Sequence, residues 1–189
     1  MAAVEFAFVA PLLIILALVT VDLVQFIRAQ FRLDETAVQL GQLVSQCDSI
    51  STADEAQFWN YAQQIVGSVG QVTGDPKETP GTVIISAIYS SDGKTNKVAW
   101  QISSNQTHGS SVGGAGGAAK VTEGFIVPSG DTLLVTEVYL PLQAWVFSTG
   151  FMGNVLSATL NGTTLYLTRA PDASAIQTLT TSNQLACTK

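Results

Sequence analysis

Charge is what this chain has least of. Its 189 residues carry 8 Lys and Arg against 14 Asp and Glu, 12% charged in all, with a net charge of -6. A surface so poor in cations cannot neutralise a run of phosphates, which excludes a nucleic-acid partner. There is 1 histidine, His108, and there are 2 cysteines, Cys47 and Cys187, far apart and in no CxxC or metal-type spacing. That inventory assembles neither a metal site nor a nucleophile–base pair. HExxH, GxSxG, P-loop and dinucleotide fingerprints are missing as well. The carboxylates are scattered, with no two placed as an acid–base pair. No catalytic residue, metal ligand or cofactor is expected, and the chain is not read as an enzyme.

What the chain does have is one long apolar run at its start. Residues 6–21 carry no charge, and Thr20 is their only clearly polar side chain. As a helix they cover about 24 Å, short of the roughly 30 Å hydrocarbon core of a bilayer. Continuing to Ile27 closes the gap but takes in Asp22 and Gln25, while Glu5 sits just before the run. A carboxylate at bilayer depth costs on the order of 3 kcal/mol. A simple anchor has little reason to keep two, so Glu5 and Asp22 become candidate assembly or interface residues. The segment does not read as a cleavable signal peptide, since it lacks a basic n-region and a following small-x-small site. Arg28 and Arg32 after the run would place that side in the cytoplasm by the positive-inside rule. Removal of a positively charged leader ahead of Met1 would resolve the conflict.

Beyond Phe31 the helix is expected to continue to about Gln46. Leu33, Ala37, Leu40 and Val44 recur at helical spacing, and Cys47 falls close to the same stripe. Gln39, Gln42 and Gln46 lie largely off it. The outer half should therefore offer one apolar face to a domain. A Cys47–Cys187 disulfide that clips the C-terminus to this helix is expected if the domain lies outside the cytoplasm, two buried free thiols being the alternative.

Residues 47–53 form a break, and Thr52-Ala53-Asp54-Glu55 reads as a capping box opening a second helix over 53–66. Its apolar stripe is Phe58, Ala62, Ile65 and Val69, with Trp59, Tyr61 and Val66 beside it. A Gly/Pro/Thr-rich linker spans 67–81. Strands are expected over 82–89 and 97–103, a hairpin joined by Ser90-Ser91-Asp92-Gly93 turn chemistry. Lys94 occupies a position that needs an oxygen ligand, so 92–96 is read as a turn and not a calcium loop. Residues 106–120 are read as a mobile or irregular loop, with His108 solvated. A third strand covers 133–141, where Glu137 shares a face with Leu133, Val135 and Tyr139. That face is either partly solvated or an interface. Residues 143–160 suggest a short helix or covering loop, 163–168 a fourth strand, and the tail from Ala173 is Thr/Ser-rich.

The wording VEFAFVAPLLIILALV followed by QFIRAQFRLDETA resembles the TadE-like minor pilins of tight-adherence (Tad) pili, a branch of the type IV-like pilins. The strand Leu133-Leu-Val-Thr-Glu-Val-Tyr-Leu-Pro141 resembles a second family signature. At Arg169-Ala170-Pro171 the chain departs from the family's Arg-Pro-type ending, which weakens any carry-over to Arg169. The resemblance implies an α+β protein: residues 1–27 the membrane-spanning half of a long helix, residues 28–189 an extracytoplasmic head with about four antiparallel strands packed on that helix. It implies processing by a prepilin peptidase, residence in the bacterial inner membrane with the head outward, and incorporation into an extracellular pilus. The implied partners are other major and minor pilin subunits, the pilus assembly platform, the peptidase and membrane lipid. Glu5 would then neutralise the terminal amine, at Met1, of a neighbouring subunit. A bacterial host gives the sequons at Asn105 and Asn161 little weight. The residues alone leave a second reading open, a membrane-tethered periplasmic module that binds a partner and never polymerises.

Overall fold

A computed structural model describes residues 2–73, 80–121, 124–141, 159–168 and 178–187. Helix α1 (Ala2–Val44) is continuous over 43 residues and passes through Pro11, a length of about 65 Å. Its two halves differ as the periodicity requires. Apolar side chains from Phe6 to Ile27 are largely exposed, whereas Ala29, Leu33, Ala37, Leu40 and Val44 are buried. Gln39, Gln42 and Gln46 lie on the wet side.

A short strand, β1 (Ser49–Ser51), leads into α2 (Thr52–Val66) and a 3-10 turn (Gly67–Val69). Gly67, at φ 61°, ends α2 in a backbone region that favours glycine. The buried positions of α2 are Asp54, Phe58, Ala62 and Val66. Val66 therefore belongs to the stripe, Ile65 and Val69 are only half-buried, and Tyr61 is exposed.

Strands β2 (Thr82–Tyr89), β3 (Lys97–Ser103), β4 (Thr132–Pro141) and β5 (Thr159–Leu167) form one antiparallel sheet in the order β3-β2-β4-β5. The architecture is α+β, with a four-stranded sheet packed on the outer half of α1. Alternation divides the sheet into two faces. Val83, Ile85, Ala87, Trp100, Leu134, Val138 and Leu140 share one core with the α1 stripe, Phe58 and Ala62. Ile88, Leu133 and Val135 point the other way and meet Val112 and Val127 from the β3–β4 connection.

That connection has to travel from the edge strand β3 past β2 to reach β4, and it does so over the sheet's outer face. It is irregular but not loose. Val98 bonds two successive residues of it, its carbonyl accepting the Gly116 N–H (2.8 Å) and its N–H donating to the Gly117 carbonyl (3.0 Å). Gln101 Nε2 donates to the Gly113 carbonyl at 2.9 Å. Of the mobile or irregular loop expected over 106–120, the irregular form is what the structure shows, with Val112 buried beneath it and Val127 buried further along the same connection.

Two close approaches fix how α1 lies on β5. A Cβ on Gly162 would meet Leu33 Cδ2 at 2.2 Å, and one on Gly41 would meet the Tyr166 ring at 2.6 Å. Between them Thr164 Oγ1 donates to the Ala37 carbonyl at 2.9 Å. β5 begins earlier than the sequence indicated, because Leu160 pairs with Leu140 and is buried in the main core. The suggested helix or loop at 143–160 otherwise lies outside the described residues, as do 74–79 of the linker, Arg169 and most of the early tail. The tail does contribute β6 (Thr178–Thr180), which pairs in parallel with β1.

A chain starting at Gln30 retains the stripe from Leu33 to Val44 and is expected to be soluble and cooperatively folded. Starting at Ser49 instead uncovers Val83, Ile85, Leu134 and Val138, and aggregation is expected. Size-exclusion chromatography with thermal unfolding checks this, and equal behaviour of the two would refute the packing of helix on sheet. Gly162→Val should cost about 1–3 kcal/mol through overpacking against Leu33, read as a lowered denaturation midpoint.

Candidate functional site

The first part of α1 is apolar over most of its surface and compatible with membrane anchoring. Among the described residues it is the one helix long and apolar enough to cross a membrane, with a mean hydropathy of 2.6 in its best window. Phe8, at 79%, is the most exposed of its large apolar side chains, and most of the others are about half exposed. Thr20, its polar exception, donates its hydroxyl to the Leu16 carbonyl at 2.8 Å, so its polarity is satisfied within the helix. Glu5 lies in the first turns of the helix backbone, its side chain outside the description, as is Met1. Asp22, a candidate interface residue from its position, is 8% exposed within the chain itself. Just past the apolar run, Arg32 pairs with Glu35 at 3.0 Å on the solvent side.

Glu137 is the first of two buried carboxylates among the described residues of the head. At 1% exposure it is not on a solvated face. The strand alternation that puts it beside Leu133 and Val135 also puts it under the β3–β4 connection. Oε1 accepts the Ser111 N–H (2.9 Å), the Ser111 hydroxyl (2.5 Å) and the Tyr139 hydroxyl (3.0 Å), and Oε2 accepts the Ser110 hydroxyl. Tyr139 is half-buried, and burial together with the Glu137 charge pushes its phenol above the usual range. His108, expected to be solvated, instead stacks on Tyr139 with ring centroids 5.3 Å apart. The carboxylate is thus engaged by the chain's own loop.

Asp54 is the second, 2% exposed, and the sequence reading assigned its role to a neighbour. The capping box is Ser51 with Asp54, not Thr52 with Glu55. Both patterns are present in Ser51-Thr52-Ala53-Asp54-Glu55. Ser51 wins because pairing with Thr180 in β1–β6 holds it extended, at φ -106° and ψ 166°, the backbone an N-cap needs. Asp54 Oδ2 accepts the Ser51 N–H (2.8 Å) and hydroxyl (2.7 Å), then the N–H groups of Ala186 (3.0 Å) and Cys187 (3.1 Å). Burial alone would raise this carboxyl, but the Ser51 donors and the two tail N–H groups outweigh it and hold it below its ordinary value. Glu55 has burial without such donors and is shifted upward.

The tail that Asp54 grips carries Cys187, and its sulfur is bonded to that of Cys47, with a Cα–Cα distance of 4.9 Å. Cys47 closes the α1 stripe in the core, so the disulfide joins the end of the chain to the end of the long helix.

The turn at 90–96 is saturated in the same manner. Asp92 Oδ1 accepts the N–H groups of Lys94 and Thr95, both at 2.9 Å, which hold its carboxyl well below the usual range. No group of three or more His, Cys, Asp or Glu that could hold a metal occurs among the described residues.

Residues 1–41 match the family described as TadE-like protein. No curated protein matches the chain, and no solved structure does.

Two outcomes are expected from the carboxylates. Glu137→Ala leaves the Ser110 and Ser111 donors without their acceptor and should cost about 1–3 kcal/mol. Faster amide exchange confined to the β3–β4 connection is its signature. For Asp54, the folded carboxyl titrates below its unfolded value of 3.8. Its contribution to stability is therefore fully present above that value and is lost as pH falls through the lowered folded value. Denaturation of wild type and Asp54→Asn should show a gap at neutral pH that narrows in strong acid.

Proposed function

We propose that this chain is a minor pilin of a Tad-type pilus, held in the bacterial inner membrane with its head outward until it is drawn into the filament. The observation that carries the proposal is the coincidence of two ranges. The TadE-like match covers residues 1–41, and from Ala2 onward those residues lie in one unbroken helix whose apolar side chains from Phe6 to Ile27 are largely exposed, with Glu5 just before them.

The physical account runs through that surface. A helix apolar on most sides dissolves in lipid, and the same side chains can pack against other helices in a filament core. Moving from lipid to filament gains little hydrophobic energy, so selectivity has to come from packing and buried polar pairs. Glu5 is the residue proposed to supply one, by neutralising the amine at Met1 of a neighbouring subunit once a prepilin peptidase has exposed it. The proposed partners are accordingly other pilin subunits, the assembly platform and the peptidase. The head remains outside the filament core, fixed to the helix by the stripe from Leu33 to Val44.

Glu5→Val tests this reading. Removing a charge from the apolar end of a membrane segment leaves insertion unchanged or slightly better. In a filament it strands a neighbour's amine among helices, a loss of roughly 3–5 kcal/mol for a broken buried pair. The expected result is normal membrane abundance with no recovery of the protein in sheared pili. Glu5→Gln, which keeps the shape and loses the charge, should also assemble poorly. Normal incorporation of Glu5→Val would overturn the proposal and favour a tethered module that does not polymerise.

A further inference from the structure

The disulfide closes on a tail that is already tied down by other contacts. Thr52 Oγ1 donates to the Ser182 carbonyl at 2.7 Å, and the Ala53 N–H reaches the same oxygen at 3.3 Å. β6 pairs with β1, and Thr180 Oγ1 donates to the Ile50 carbonyl at 3.3 Å. Asp54 then takes the N–H groups of Ala186 and Cys187, the last two described residues. None of these contacts passes through sulfur. In the joined pair Cys47 is 2% exposed, whereas Cys187 lies only partly buried at the margin of the core.

We propose that Asp54 is the positioning residue for this disulfide, and that the bond forms in a fixed order, Cys187 meeting a small disulfide oxidant and Cys47 resolving the product. In the first step the Cys187 thiolate attacks one sulfur of the oxidant. A mixed disulfide forms, the oxidant's S–S bond breaks, and the departing thiolate takes up the proton that Cys187 gave up. In the second step the Cys47 thiolate attacks the Cys187 sulfur. The Cys47–Cys187 bond forms, the second half of the oxidant leaves as a thiolate, and it takes the proton from Cys47. The two cysteines together lose two electrons and the oxidant gains them. Throughout, the carboxylate holds the Cys187 backbone against the start of α2. The mixed disulfide cannot swing away from Cys47, and the tail keeps the oxidant from reaching Cys47 directly. The gain is one of effective concentration, the same advantage that orientation gives any intramolecular displacement.

The test uses the full reduced chain in detergent with glutathione disulfide as the probe, followed by mass spectrometry. In Cys47→Ser, Cys187 should be glutathionylated and remain trapped. In Cys187→Ser, Cys47 should react about ten-fold more slowly or worse, as a covered thiol does. Adding Asp54→Ala should bring the Cys47 rate up toward that of Cys187. In the two-cysteine chain it should lower the effective concentration of the pair, read from its glutathione equilibrium, by about ten-fold or more. Asp54→Asn retains an acceptor oxygen and should restore part of both effects, which a general loss of stability would not. Equal rates for the two cysteines with Asp54 intact would overturn the proposal. So would an Asp54→Ala chain whose glutathione equilibrium stays within about two-fold of wild type.

Discussion

The side chains of Leu33, Ala37, Leu40 and Val44 hold the sheet to α1, and every other feature of the head is arranged around that contact. The helix is apolar on most faces until the outer half, where the stripe turns to the sheet and Gln39 and Gln42 turn to solvent. Orientation comes from shape. Gly162 admits Leu33 to the β5 backbone, Gly41 admits the Tyr166 ring, and Thr164 ties the Ala37 carbonyl between them. With those contacts made, strand alternation dictates which side chains of β2 and β4 face the helix and which require a second cover.

A chain with few charges places carboxylates in the interior of its head. Glu137 and Asp54 each collect several donors from segments with no regular structure, the β3–β4 connection in one case and the C-terminal tail in the other. A buried carboxylate is costly alone, but it can accept more bonds than any neutral side chain and each of them is strengthened by its charge. It therefore suits a place where irregular backbone must be held over a core. In both cases the acid is on a regular element, accepts from a neighbour on or beside that element, and takes its remaining donors from an irregular segment.

Much of the architecture was legible in the sequence because it depends on period. The α1 stripe through Cys47, the strands at 82–89 and 97–103 and the alternating β4 face all follow from spacing, and the structure places them there. The misreadings occurred where a local pattern had two solutions or a distant partner decided. Ser51 and Thr52 both open a plausible capping box, and only the pairing of Ser51 with Thr180 selects the first. Glu137 left a partly solvated face open beside an interface, and its burial removes the solvated reading, since nothing near it in sequence reveals that Ser110 and Ser111 fold over it. His108 had no sequence neighbour to stack on, yet the same crossover brings it to Tyr139. Asp54 carried a signal, a Ser three residues before it, but its grip on the tail did not.

The parallel pairing of β1 with β6 has a consequence for the order in which the chain can reach its final form. Ser49 and Thr178 are register partners although nearly the whole head lies between them. Synthesis runs from the N-terminus, so α1 and α2 exist long before the strand that completes the join between them. During that interval the stripe from Leu33 to Val44 is without its sheet and Asp54 is without its two tail donors. Contacts of such long sequence separation form slowly, since the loop must close before they contribute. The head is consequently a structure whose last residues fasten its first, and a chain shortened by even its final few residues would lose the fastening while keeping almost all of the fold's sequence.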